Sequence, residues 1–145
     1  MQISSRFTIG VHLLAVIDYL GEDEKVTSNT LASSIGVNPV IVRNVMGSLK
    51  EAGIIDISQG KSGISLTKNP DQITLYDVYK AVDSVKDEGL FHFHENPNPE
   101  CPIGRNIHKA MDSKLKRVQR CMEDEMRKIT LADVMTDIQN ELKNE

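Results

Sequence analysis

The chain has 145 residues and a mass of 16.2 kDa, enough for one compact domain or a small domain with a dimerising arm. Its formal charge is −4 and its pI about 5.6, which taken alone argues against a nucleic-acid partner. Two cysteines, not spaced as CxxC, exclude a disulfide scaffold, and no apolar run is long enough to cross a membrane. The start MQISSRFTIG has no charged-then-apolar signal pattern, so a cytoplasmic location is expected. Trp is absent and aromatics make up 4%, which leaves the apolar surface to Ile, Leu, Val and Met and suits helices packed on helices.

The charge is unevenly placed. Residues 1–70 hold six Lys/Arg and six Asp/Glu, whereas residues 71–145 hold eleven and fifteen, so the whole excess of acid lies in the second half. Between Val26 and Pro70 stand Arg43, Lys50, Lys61 and Lys68 against only Glu51 and Asp56, which permits a locally basic face.

Ile3, Phe7, Val11, Leu14 and Ile17 recur at spacings of three and four, predicting an amphipathic helix over 4–20 with Ser4 or Ser5 as N-cap and Gly21 at its end. Thr27 or Ser28 then caps a short helix that ends near Ile35. Gly36 supplies a turn where left-handed backbone is cheap. Asn38 is a good N-cap and Pro39 fits the first helical position, where its missing N–H is no loss. Val42, Val45, Met46 and Leu49 form the buried stripe of this second helix, and Gly53 terminates it. IIDI and ISL, joined by SQGKSG, read as a β-hairpin.

KNPDQ is a linker, and Thr74 caps a helix bearing Leu75, Val78, Tyr79 and Val82 on one face. A polar, proline-bearing loop of about fifteen residues follows, long enough to suggest a role. From Ile103 to about Ile129 a long helix carries Ile107, Met111, Leu115, Val118, Met122 and Met126 near heptad spacing, the candidate dimerisation stripe. Thr130 caps a last helix with Leu131, Val134, Met135, Ile138 and Leu142. The expected division is a head over 1–85, a sensor loop over 86–102 and a helical arm over 103–145.

Helix, tight turn, helix and hairpin together make a winged helix-turn-helix, whose second helix enters the DNA major groove. Pro39 and Val40 open that helix, and its polar residues Asn38, Arg43 and Asn44 are the candidate base readers, since Asn matches adenine edges and Arg matches guanine. Ser4, Arg6 and Ser28 are candidate phosphate contacts near helix starts. Gln59, Lys61 and Ser62 at the hairpin tip are candidates for phosphate or the minor groove.

These segments resemble the IscR/NsrR/CymR family of small dimeric winged-helix repressors. ISSRFTIGVHLL is similar to its opening helix, TLASSIGVNPVIVRNVMGSLKEAGII to its helix-turn-helix, QGKSG to its wing and ITLYDVYKAVD to the helix after the wing. HENPNPECPIG before a long helix resembles the YwnA-like branch. The resemblance covers nearly the whole chain. It implies a mainly α fold with a two-stranded wing, a homodimer through crossing C-terminal helices, and a palindromic operator on double-stranded DNA. Two features depart from the family. Its iron–sulfur members carry three cysteines in the loop, whereas this chain has only Cys101 there, with Cys121 inside the helix, so no cluster or other cofactor is expected. The usual run of three glycines and Tyr in the wing is replaced by Gly63, Ile64 and Ser65.

If Pro102 opens the long helix, Cys101 stands at its N-cap, where the dipole favours a thiolate, and Arg105 adds to this. Cys101 is therefore the candidate redox sensor, while Cys121 reads as a small interface residue. His92, His94, Cys101 and His108 match no tight metal motif, and no metal is expected. No catalytic triad, HExxH or GxxxxGK[ST] loop is present, so an enzyme is not expected. The expected function is sequence-specific transcriptional regulation, by repression. The alternatives are a winged-helix adaptor without DNA binding and a metal-dependent sensor.

Overall fold

The structure, a computed structural model, describes residues 3–58, 63–82 and 89–145. The chain is mainly helical. Helix α1 (Ser5–Leu20) starts where Ser4 Oγ accepts from the Arg6 N–H at 3.2 Å. Helix α2 (Ser28–Ile35) is capped by Thr27, whose Oγ1 accepts from the Thr30 N–H at 3.1 Å, and Gly36 closes it in the left-handed conformation. Helix α3 (Pro39–Glu51) follows after three residues. Strands β1 (Ile55–Ile57) and β2 (Ile64–Leu66) pair antiparallel in the register Ile55↔Leu66, Asp56↔Ser65, Ile57↔Ile64. The segment expected to be a plain linker contains a 3-10 turn, Pro70–Gln72, because Pro70 presets its backbone. Helix α4 (Leu75–Val82), helix α5 (Ile107–Lys128) and helix α6 (Leu131–Lys143) complete the chain.

The head packs α1 against α2, α3 and α4, with the hairpin at one edge. Leu13, Leu14, Leu31, Val42, Val45, Leu49, Ile55, Ile73 and Val78 are buried there, and among the described residues no charged side chain is buried. The wing is fixed to the head through Gly63, which bridges to Val26 with φ +64. A side chain there would place its Cβ 2.5 Å from the Val26 carbonyl oxygen, so only glycine fits.

Helix α6 returns to the head. Its Leu131 and Met135 join the core of α1 to α4. A short antiparallel bridge seats it: Leu75 N–H donates to the Ile129 carbonyl at 2.9 Å and Leu131 N–H to the Ile73 carbonyl at 2.8 Å. Reciprocal capping boxes, Thr74 with Asp77 and Thr130 with Asp133, start α4 and α6 on either side of it. The 103–145 segment thus contributes both the outward α5 and a helix of the head's own core.

Partial burial holds the Asp18 carboxyl above its usual 3.8. The folded state binds this proton more tightly than the unfolded chain does. The ionised carboxylate therefore costs stability at neutral pH, and the cost disappears as pH falls through the carboxylate range. Asp18→Asn is expected to raise the unfolding midpoint at pH 7, with the gain fading near pH 4 (about the ordinary carboxylate value). A lower midpoint at pH 7 in thermal unfolding would contradict this.

Candidate nucleic-acid interface

Helix α3 has two unlike faces. Val42, Val45, Met46 and Leu49 are buried against the head, while Val40, Ile41, Arg43, Asn44, Gly47 and Lys50 are exposed. This division follows from the 3.6-residue repeat. The helix starts sharply because Asn38 Oδ1 accepts from the Val40 N–H at 2.8 Å and Pro39 takes the first position. Its outer face therefore meets solvent from the first turn. Arg43 takes part in none of the ion pairs among the described residues, which all lie on α5. The exposed apolar Ile41, beside Val40, was not among the residues singled out from the sequence. The one available signal was that it falls outside the buried stripe.

Gly47 lies on the same outer face. A Cβ there would meet nothing within 4 Å, so packing does not require glycine. Glycine inside a helix costs about 0.5–1 kcal/mol relative to Ala. What it does provide is a flat patch beside Arg43 and Asn44 where another surface can approach closely.

The remaining sequence candidates divide. Ser28 is half-buried in the first turn of α2, and Thr27 rather than Ser28 is the cap. Ser4 caps α1. Arg6 is turned inward: its Nε donates to the Val82 carbonyl at 3.3 Å and one Nη to Ser48 Oγ at 3.1 Å. That side chain ties α1 to the ends of α3 and α4 and so fixes the tilt of α3. Gln59, Lys61 and Ser62 lie outside the described residues.

Helix α5 has a different character. Its 22 residues span about 33 Å at 1.5 Å per residue. None of them is buried, although the helix carries an apolar stripe. One side packs on its own chain: Arg127 lies 3.9 Å over the Tyr76 ring of α4, and Gln119 Oε1 accepts from the Leu90 N–H at 2.9 Å. Of the candidate dimerisation residues, Ile107, Leu115, Met122 and Met126 are half-buried, while Met111 and Val118 are exposed, Val118 at 53%. Cys121 is also exposed on α5.

The long helix begins at Ile107, not at Ile103. Residues 101–106 form successive turns instead, with Arg105 N–H donating to the Cys101 carbonyl and Asn106 N–H to the Ile103 carbonyl. Gly104 packs so closely on Asn98 that a Cβ would fall 2.6 Å from its carbonyl oxygen, which holds the segment off the helix axis. Cys101 is therefore not the N-cap of α5, and the dipole argument for its thiolate loses its geometry. Its Sγ accepts from the Gly104 N–H at 3.4 Å within its own turn.

Among the described residues, no three His, Cys, Asp or Glu side chains stand together as a metal site. His94 and His108 instead meet edge to face, with centroids 5.1 Å apart.

The fold and this face define a winged helix-turn-helix protein. The Rrf2 family, described as iron-dependent transcriptional regulators, matches residues 3–137. The chain belongs to the Rrf2 family and is a transcriptional regulator by class. It is 43% identical over 136 residues to YwnA of Bacillus subtilis (strain 168), named as an HTH-type transcriptional regulator, covering 94% of this chain and 98% of that one. A crystal structure of a protein described as DNA-binding is 38% identical, with TM-score 0.71 over 90% of this chain and 99% of its own. The fold is shared with CymR (YrzC) of B. subtilis, the global cysteine regulator, at TM-score 0.69 and 14% identity over 94% and 97% of the two chains. These relatives and this fold are those of transcription regulators rather than enzymes.

The family's iron chemistry does not fit this donor set. A cluster takes about four ligands, usually thiolates. The chain has two cysteines, one half-buried in the loop turn and one exposed on α5, with no third metal-binding side chain grouped beside either among the described residues. Among the described residues no helix is long and apolar enough to cross a membrane.

Proposed function

We propose that the chain is a homodimeric repressor that reads a palindromic operator, placing one α3 from each subunit in successive major grooves about 34 Å apart. The observation that carries this is the exposed outer face of α3, where Arg43 and Asn44 stand beside Val40, Ile41 and the flat patch at Gly47. Arg43 and Asn44 are the base readers, and Val40 and Ile41 suit thymine methyl groups. The backbone N–H groups at the starts of α2 and α3, near Ser28 and Asn38, hold phosphates. Arg6 positions α3 through Ser48 rather than touching DNA. The apolar stripe of α5 is the dimer seam, and its exposed members Met111 and Val118 are the residues that would meet the partner.

Selection of genomic fragments with the full-length protein tests this. The expected result is a palindromic site with half-sites one helical turn apart, bound with an affinity that falls steeply as salt rises. Failure to retain any fragment at low salt would favour the adaptor reading. Repression, rather than activation, predicts that the site overlaps promoter elements. Thiol regulation through Cys101 is a separate arm. Oxidation of Cys101 by a peroxide to the sulfenic acid would disturb the turn closed by Gly104 N–H. Unchanged operator affinity after oxidation would overturn that arm alone.

A further inference from the structure

An open cleft of about 470 Å³ lies between α5 and the segment that follows Gly89. That volume suits a small-molecule site. Phe91 and Phe93 form its apolar wall, and Leu115 continues this surface on α5. The wall is braced. His108 stacks behind Phe93 with ring centroids 4.6 Å apart, and Gln119 holds the Leu90 backbone. The Gln119 amide is itself fixed by donating to Glu123 Oε1 at 3.1 Å.

Among the described residues the polar rim consists of Asp112, Lys116 and Arg120. Lys116 is paired with Asp112 at 3.0 Å, so these two charges cancel. Arg120 joins none of the ion pairs among the described residues. Among these described rim residues two cations face one anion, and the unpaired charge sits on a guanidinium able to take a carboxylate with two hydrogen bonds.

We propose that this cleft is an effector site for a small organic carboxylate whose body is aromatic or branched and apolar. The body would lie on Phe91 and Phe93, and the carboxylate on Arg120. The cleft joins the parts that regulation must move. One wall is α5, which carries the dimer stripe. Helix α5 also packs on α4 through Arg127 and Tyr76, and the last carbonyl of α4 is tied through Arg6 to Ser48 of the reading helix. An occupant that draws the Phe91–Phe93 segment onto α5 would change the angle between the two heads. The regulatory output rests on the DNA-binding reading above, whereas binding itself does not.

The test is calorimetric titration of the full-length protein with benzoate, phenylacetate and isovalerate, and with benzamide as the uncharged isostere. At least one carboxylate is expected to saturate one site per chain. Arg120→Gln and the change to benzamide are each expected to weaken binding about ten- to hundredfold, the worth of a charge-assisted hydrogen bond. Phe91→Ala should weaken it with the charge intact. No saturable binding of any of the three carboxylates, equal binding of benzamide, or unchanged affinity in Arg120→Gln would overturn the site. Saturable binding that leaves operator affinity unchanged would overturn the effector role, while operator binding itself would stand.

Discussion

Arg43→Ala is expected to cut operator affinity by roughly thirtyfold to twenty-thousandfold. A bidentate Arg–guanine pair discriminates by about 1–3 kcal/mol. A dimer makes that pair twice, and each 1.4 kcal/mol is about tenfold. The fold should not respond, because Arg43 is exposed and makes no ion pair among the described residues. Its unfolding free energy should stay within about 0.5 kcal/mol of the parent, as for ordinary surface changes. Arg43→Lys keeps the charge but gives up the planar fork, so it should recover only part of the affinity. Two binding curves decide the role. If Arg43 reads a base, the variant weakens on the operator far more than on random DNA. If it holds a phosphate, the variant weakens on both alike, and the salt slope falls by about one for each phosphate no longer neutralised. The second pattern would move Arg43 out of the base-reading set.

If α5 is the proposed dimer seam, Val118→Asp is expected to give a monomer of 16.2 kDa in sedimentation equilibrium where the parent chain gives a dimer. Val118 is 53% exposed in the single chain and sits in the outward part of the α5 stripe. On a two-fold seam the substitution appears twice and sets two carboxylates against an apolar surface. An uncompensated buried charge costs about 3–5 kcal/mol. The heads should remain folded, since Val118 lies outside their core. Operator binding should nevertheless fall by about 10²–10⁴, because a lone head forgoes the gain from linked half-sites. A variant that stays dimeric with full operator affinity would place the seam elsewhere.

Much of the head is legible in the sequence because its signals are local. Thr27 and Asn38 accept backbone N–H groups within three residues, and Gly36 closes α2 between them. The ISL strand falls on β2 without a shift. Where interactions run across the chain, local patterns are incomplete. Arg6 reads as a surface cation, but its partners are 42 and 76 residues away. Ile103 reads as the first residue of the long helix. The close packing of Gly104 on Asn98 delays that helix to Ile107 and removes Cys101 from its N-terminus. Phe91 and Phe93 fall in a loop that reads as polar, and only the approach of α5 turns them into a cleft wall.

Local sequence was enough for the order of the main elements, the cap of α3 at Asn38, and the buried and exposed faces of α3. Periodicity and capping act within a few residues, so they hold wherever the chain goes next. Three-dimensional packing was needed to establish that α6 belongs to the head's core, that Arg6 turns inward onto Ser48 and Val82, and that α5 leaves Met111 and Val118 exposed. Each of these depends on which distant backbone and side-chain groups meet, and that is settled by the joint packing of the apolar faces.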